Sequence, residues 1–384
     1  MNILCLSYEY PPLGGGGAAV VEGVCDQLMD RGSSIDLVTM GFRDLNGTEN
    51  RGALEIHRLR TGRLRQHMCS AVEMIPYILR GFLKGRQICR AKDIDVIHAH
   101  FIFPDGVIAA ALSRATGIPY VITVHGSDVP GYNPDRFNAL HRLLGPLWRQ
   151  AVSRARRIVC PSEFLETLVR QGDPDARTTV IPNGIDVNRF SSHRPRVKRV
   201  LVVTRMFERK GVQDLLRACD DMDPLWELVV VGDGPYLPVL RDLSETLVRH
   251  IRFTGFLPNR SAELADLFET SSIFVLPSYA ENFPVSLLEA MDAGLAIVTT
   301  RNTGCAEVVG EAGLLVEPGD VAGLKEQVDH LVRDAGLRQR LGEAARARVE
   351  SRYSWKRIGE LYETVLRGAA ASEAGRCSDV TAGL

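Results

Sequence analysis

The feature that most limits what this chain can fold into is a rhythm: short runs of Val, Ile and Leu recur between longer segments of helical period, from Asn2-Ile-Leu-Cys-Leu-Ser7 to Leu314-Leu-Val316. Runs that are apolar without alternation are strands buried on both faces, and strands that repeatedly hand over to helices build parallel βαβ units. Strands are expected near 2–7, 34–40, 54–59, 95–99, 119–124, 157–160 and 178–181. The rhythm then breaks at Asn183-Gly184, and Ser191 to Arg199 is polar, basic and Pro-containing, as linkers are. It restarts near 200–204, 227–231, 250–253, 273–276, 296–299 and 314–316. The expected fold is α/β: two Rossmann-like domains facing across a cleft, spanning 1–190 and 191–352, with a C-terminal helix at 353–370 that joins the first. At 384 residues and 45% hydrophobic the chain can bury two such cores. The last residues, 369–384, are small and polar and expected to fray.

Charge narrows the partners. Acidic and basic residues nearly cancel, 47 against 46, so no overall field draws the chain to nucleic acid, and no nucleic-acid partner is expected. The eight cysteines show no C-x-x-C pair or Cys/His ligand spacing and read as reduced, buried small hydrophobes. Met1 runs straight into a strand without a signal-peptide pattern, and no apolar run approaches the roughly 20 residues that span a bilayer. A cytoplasmic location is the expectation.

After the first strand comes Tyr8-Glu-Tyr-Pro-Pro-Leu-Gly14-Gly-Gly-Gly17, with a helix expected over 18–30. Glycines let the backbone approach a ligand, and the following helix N-terminus offers about half a positive charge, an environment suited to a diphosphate. A plain flexible loop is the alternative. Gly14, Gly16 and Ala19 also satisfy a relaxed dinucleotide fingerprint, but Asp36 to Gly41 ends the second strand without the carboxylate that holds a nicotinamide ribose. The dehydrogenase reading is therefore poorly supported.

The most informative stretch is Leu276 to Gly294. A strand ends at Leu276, a loop carries Glu281, and a helix begins near Val285 and holds Glu289 about one turn inside. That helix N-terminus can receive phosphate through its free N–H groups. A carboxylate beside phosphate is unfavourable unless it binds hydroxyls, and sugar hydroxyls are the evident partners.

These elements, in this order, resemble the retaining glycosyltransferases of GT-B fold, glycosyltransferase family 4. The likeness covers nearly the whole chain and rests on Pro12 to Gly17, His98-Ala-His100, Thr123-Val-His125-Gly-Ser-Asp128, Ile181-Pro-Asn183-Gly-Ile-Asp186, Arg205 with Lys210-Gly211, Gly232-Asp-Gly-Pro235, and the E-x7-E element Glu281 to Glu289. The resemblance implies an acceptor-side first domain and a donor-side second domain. It implies that Glu289 binds the donor ribose, Glu281 the transferred hexose, and the Asn282-Phe283-Pro284-Val285-Ser286 amides the diphosphate, which Arg205 and Lys210 neutralise. It places Phe256 at the nucleotide base and His125 at the transferred sugar, with Asp128 in the substrate- or donor-binding set. Gly15, Gly16, Gly17 and Asn183 complete the implied binding set.

The expected activity is transfer of a hexose-type sugar from a UDP- or GDP-sugar to a sugar, lipid-linked or small-molecule acceptor in cell-envelope glycan, polysaccharide or glycolipid synthesis. Retention is open to a covalent intermediate or to same-face attack, and the resemblance favours the second. A non-hydrolysing epimerase of the same architecture is the alternative, against which E-x7-E argues. The three D-x-D triplets, Asp93/Asp95, Asp173/Asp175 and Asp221/Asp223, precede strands or sit in turns, so no metal and no other cofactor is expected. Finally, 58–92 carries nine Arg and Lys against Glu73 as its one acid, interleaved with apolar residues. That pattern fits either a peripheral contact with the inner face of the cell membrane or a core helix with a solvated basic face.

Overall fold

The computed structural model describes residues 1–66, 69–132, 134–191 and 194–377. The chain divides into two compact units, Met1–Gly184 with Trp355–Leu384, and Ile185–Ser354.

In unit 1, β1 (Asn2–Leu6), β2 (Ser34–Met40), β3 (Gly47–Arg51), β4 (Leu54–Leu59), β5 (Val96–His100), β6 (Tyr120–Thr123), β7 (Arg157–Cys160) and β8 (Thr178–Val180) form one sheet in the order β3-β4-β2-β1-β5-β6-β7-β8. All pairings are parallel except β3 with β4. The sequence rhythm does not announce β3: Gly-Thr-Glu-Asn-Arg is exposed throughout and lies at the sheet edge, where neither face is buried and no apolar signal arises. The helices are α1 (Gly16–Asp30), α2 (Ala71–Ala91), α3 (Val107–Thr116), α4 (Pro134–Arg154) and α5 (Glu163–Gly172). Helix α2 starts on a capping box made by Ser70 and Glu73, and it packs inward through Tyr77, Gly81, Gly85 and Ile88. A Cβ at Gly85 would stand 2.6 Å from Leu112 of α3, so the glycine face lets the two helices close.

In unit 2, β9 (Arg199–Val203), β10 (Glu227–Val231), β11 (Ile251–Gly255), β12 (Ile273–Leu276), β13 (Ala296–Thr300) and β14 (Leu314–Val316) form an all-parallel sheet in the order β11-β10-β9-β12-β13-β14. Around it run α6 (Val212–Ala218), α7 (Leu237–Glu245), α8 (Ala262–Thr270), α9 (Val285–Asp292), α10 (Gly304–Val309), α11 (Val321–Arg333) and α12 (Ala335–Arg352). Unit 2 begins at Ile185, ahead of the expected 190/191 division, because Ile185 and Phe190 pack into its core beside Phe268, Leu287 and Tyr353.

The last helix, α13 (Trp355–Cys377), belongs to unit 1: Ile358, Tyr362 and Leu366 join Val21, Val24 and Leu28 of α1 in one apolar cluster. It runs on through Cys377, past the point where fraying is expected, and residues 378–384 lie outside the described residues. Trp355 fits over two glycines. A Cβ at Gly23 would come within 2.2 Å of its ring, and one at Gly184 within 2.3 Å. Replacing Gly23 with Ala should therefore destabilise unit 1 by roughly 1–3 kcal/mol through overpacking, seen as a lower midpoint in denaturant unfolding. An unchanged midpoint would show that α1 and Trp355 tolerate separation.

Candidate functional site

In open parallel sheets, ligands collect beyond the carboxyl ends of strands where the strand order reverses direction. Unit 1 reverses between β1 and β5, and unit 2 between β9 and β12. The sequence-derived candidates in unit 1 follow β1, β6 and β8, while those in unit 2 follow β9, β11 and β12.

In unit 1 the glycine loop ends on Gly15, which caps α1 without a side-chain hydrogen bond. Helix α1 starts at Gly16, two residues before the expected start, so Gly16 and Gly17 are its first turn. That leaves the N–H groups of the turn available to an anion. Gly17 also meets the loops after β5 and β6: a Cβ there would sit 3.0 Å from the Phe101 ring and 3.7 Å from His125 Nδ1.

His125 lies with its ring 4.3 Å from that of Phe101 and its Nε2 3.2 Å from Nδ1 of His100. His100 in turn lies against His98, whose Nε2 shares a 2.9 Å hydrogen bond with the Thr123 hydroxyl. Burial pushes His98 down to about 3, and burial followed by the neighbouring His98 does the same to His125. Burial and both neighbours also lower His100. A dry pocket disfavours imidazolium, so all three rings are neutral at pH 7, and His125 offers a hydrogen bond rather than a charge. The fold also gathers the ligand atoms of Cys5, His98 and His100 within 4.8 Å of one another, a cluster that linear spacing does not show. The Cys5 thiol is raised by its hydrogen bond to Cys25 and by burial, which keeps it a neutral core group.

Asp128 is bound to the backbone around it. One oxygen accepts from the backbone N–H groups of His125 (3.0 Å) and Gly126 (2.9 Å), and the other from that of Ile102 (2.8 Å). Its carboxylate is spent on fixing the loop that aims His125. Asn183 stands in the loop leaving β8, beside the Gly184 backbone that Trp355 covers.

In unit 2 three loops interlock. Gly211 has φ +67°, and a Cβ there would come 2.0 Å from the carbonyl oxygen of Pro277, so the loop after β9 lies directly on the loop after β12. Gly232, at φ +135°, sits equally close to the carbonyl of Thr204, and the Met206 N–H donates to Asp233. The Gly232-Asp-Gly-Pro235 turn thus braces the segment carrying Arg205, whose side chain is exposed.

Within this frame Lys210 Nζ lies 2.5 Å from Glu281 Oε1, which also accepts from the Ser278 hydroxyl at 3.0 Å. Helix α9 starts beyond Pro284 with no side-chain cap, so the Val285 and Ser286 end presents free N–H groups. Asn282 is buried, and the Phe283 ring packs edge-on against Tyr353 in the core, which leaves only its backbone to a ligand. Phe256 is 67% exposed and stands outside the core.

Glu289 is 4% exposed, and burial raises it to about 7, opposed by Arg189 and reinforced by Asp292. Arg189 Nη1 donates to its Oε1 at 2.6 Å. The sequence analysis missed Arg189. The available signal was electrostatic: a carboxylate placed inside an apolar helix needs a cation from elsewhere in the chain.

Residues 185–348 match the family described as Glycosyl transferases group 1, and residues 14–189 the family described as Glycosyltransferase Family 4. Among curated relatives, N-acetyl-alpha-D-glucosaminyl L-malate synthase of Bacillus anthracis is 26% identical, covering 93% of this chain and 94% of its own length. Glycogen synthase of Mycobacterium tuberculosis is 29% identical, covering 97% and 96%. Among solved structures, sucrose-phosphate synthase from Thermosynechococcus elongatus matches with TM-score 0.79 at 20% identity, over 97% of this chain and all of that one. Anabaena HepE in complex with UDP-glucose matches with TM-score 0.74 at 19% identity, over 96% and 100%. The architecture is GT-B.

Because burial holds the His98, His100 and His125 rings neutral, their ring C–H resonances should stay at the neutral position from pH 8 to pH 5 in an NMR titration, whereas an exposed histidine titrates near 6.5. A His125 midpoint near neutrality would overturn the neutral-contact assignment.

Proposed function

As a member of the group 1, family 4 glycosyltransferases, this chain, we propose, moves a hexose-type sugar from a UDP- or GDP-sugar to an acceptor hydroxyl with retention of configuration at the transferred carbon. The observation that carries this reading is the arrangement in unit 2: two buried carboxylates flank an uncapped helix N-terminus, one of them paired with a cation from the β9 loop. Anion-binding N–H groups fit the diphosphate, and carboxylates fit vicinal hydroxyls. The UDP-glucose complex of the HepE neighbour supports a uridine donor.

In the reaction the bond from the sugar carbon to the diphosphate oxygen breaks and the acceptor oxygen bonds to that carbon on the same face. The leaving phosphate takes the acceptor proton. Charge builds on the diphosphate as it leaves, so Arg205, Lys210 and the α9 amides supply the main stabilisation. Lys210 reaches the phosphate by exchanging its contact with Glu281, which frees that carboxylate for the hexose. His125, neutral, serves as a hydrogen-bonding contact to a sugar rather than a proton relay.

The reading needs no metal, because the D-x-D aspartates have other work. Asp95 accepts from the Asn2 N–H at 2.7 Å, Asp173 and Asp223 close turns onto Asp175 and Leu225, and Asp221 pairs with Lys325.

The acceptor side of the proposal is an envelope glycan or glycolipid made at the inner face of the membrane, and α2 supports it. Among the described residues no helix is long and apolar enough to cross a membrane. Yet the outward face of α2 carries Val72, Ile75, Leu79 and Leu83, each more than half exposed and repeating at helical spacing. Beside them Leu59, Arg60, Arg80, Leu83, Lys84 and Gln87 line a shallow basin. A solvated basic face would not need the apolar stripe; an anionic lipid surface uses both. The protein should sediment with anionic liposomes at low salt. Leu79→Asp with Leu83→Asp should abolish this without lowering activity on a soluble acceptor, and sedimentation that survives the pair would overturn the membrane reading.

The two carboxylates give the test of the reaction itself. Glu289→Ala removes a contact present in ground and transition states, so donor KM should rise and free UDP or GDP should bind about tenfold or more weakly. Glu281→Ala should instead lower kcat about 100-fold with nucleoside diphosphate affinity nearly intact. Calorimetry beside steady-state kinetics separates the two, and reversed outcomes would mean the roles are exchanged.

A further inference from the structure

Glu289 is embedded where its charge is costly. Its helix buries it, the Asp292 carboxylate lies three residues on, and the remaining influence on it is the guanidinium of Arg189. That guanidinium is held in place from several sides. The Asn188 and Phe190 N–H groups donate to the two oxygens of Asp292, at 2.9 and 3.1 Å, which pins the backbone on either side of Arg189. Its own Nη2 donates to the Asn259 carbonyl, and its plane lies 4.7 Å from the Phe190 ring centre. Behind Asp292, Arg346 of α12 bonds the Asp292 carbonyl, the Phe190 carbonyl and the Asn188 side chain, and pairs with Glu350. The charged groups facing Glu289 among the described residues are thus Arg189 from the segment before β9 and Asp292 from its own helix, with Arg346 and Glu350 of α12 beyond Asp292.

We propose that Arg189 is the positioning residue of the nucleotide's ribose subsite: it fixes the Glu289 carboxylate through Oε1 and keeps it ionised, so that Oε2 remains to accept from the ribose hydroxyls. This rests on the reading of Glu289 as the ribose-binding carboxylate. A carboxylate accepts from two hydroxyls at once, while a carboxylic acid gives up one lone-pair site and its charge. A lysine cannot reproduce the fork, but it can supply the charge.

The sign follows from which form binds. The burial-raised Glu289 is ionised above its midpoint of about 7, so nucleotide affinity should climb as pH rises toward 7 and level off above it. Removing Arg189 takes away the influence that lowers that midpoint, and the climb should move to higher pH.

The test is calorimetric titration of the full chain with UDP and with GDP from pH 5.5 to 9, using the tighter ligand thereafter. Arg189→Gln should move the midpoint of affinity up by a pH unit or more, weaken binding at pH 7 about fivefold for the first unit moved and about tenfold for each further unit, and recover toward the wild-type value by pH 9. Donor KM at pH 7 should rise while kcat at saturation holds. Arg189→Lys should return the midpoint toward the wild-type position. A loss of affinity equal at every pH, or an unmoved midpoint, would assign Arg189 a purely structural part and overturn the proposal. The 2′,3′-dideoxy forms of the same nucleotide separate the two layers. If Glu289→Gln keeps the full preference for the ribose form, the ribose reading of Glu289 fails, and this proposal with it; an unmoved midpoint in Arg189→Gln alone removes only the role of Arg189.

Discussion

Unfilled backbone N–H groups at the start of a helix, set at the carboxyl edge of a parallel sheet, are the constraint around which this molecule is arranged. Helices α1 and α9 both begin without a side-chain cap, after Gly15 and after Pro284. Ser162, Ser261, Thr303, Asp320 and Asp334 cap their helices through side-chain oxygens, while α3, α6 and α7 share the open start. Leaving a helix end open forgoes about 1 kcal/mol that a cap would contribute, and the open ends of α1 and α9 stand beside the two points where strand order reverses. The surrounding glycines make the same concession in backbone terms, giving up side chains so that loops can lie on one another.

Charge is managed just as locally. The buried carboxylates of α9 and of the loop before it each have a cation brought from a different element: Lys210 for Glu281, Arg189 for Glu289, Arg346 for Asp292. Unit 1 pairs its buried Asp36 with Lys92 in the same way, but the loops after β5 and β6 are managed without a counterion. There His98, His100 and His125 are kept neutral by burial, and Asp128 is satisfied by backbone N–H groups.

The strands were legible because burial on both faces forces apolar runs, and a run such as Val200-Leu-Val-Val203 has few other uses. The exposed edge strand β3 left no such trace. The glutamates were legible because E-x7-E places them about a helix start, which is local geometry. That the oxygens of Asp128 serve His125, Gly126 and Ile102 depends on loop conformation that spacing does not encode.

Sequence alone determined what lies within one element or one turn of it: the two sheets, the loops that carry the chemistry, the open start of α9 and the two carboxylates beside it. Tertiary structure decided which groups from distant positions share those places. Arg189 stands 100 residues from Glu289, Lys210 is 71 from Glu281, and Trp355 closes over Gly23 and Gly184. Local order is written by hydrogen bonding and burial between near neighbours, whose spacing is visible along the chain. The ionisation and hydrogen-bonding state of a buried group is set by whatever the fold packs against it, and that becomes defined only when the sheet has brought its strands into order.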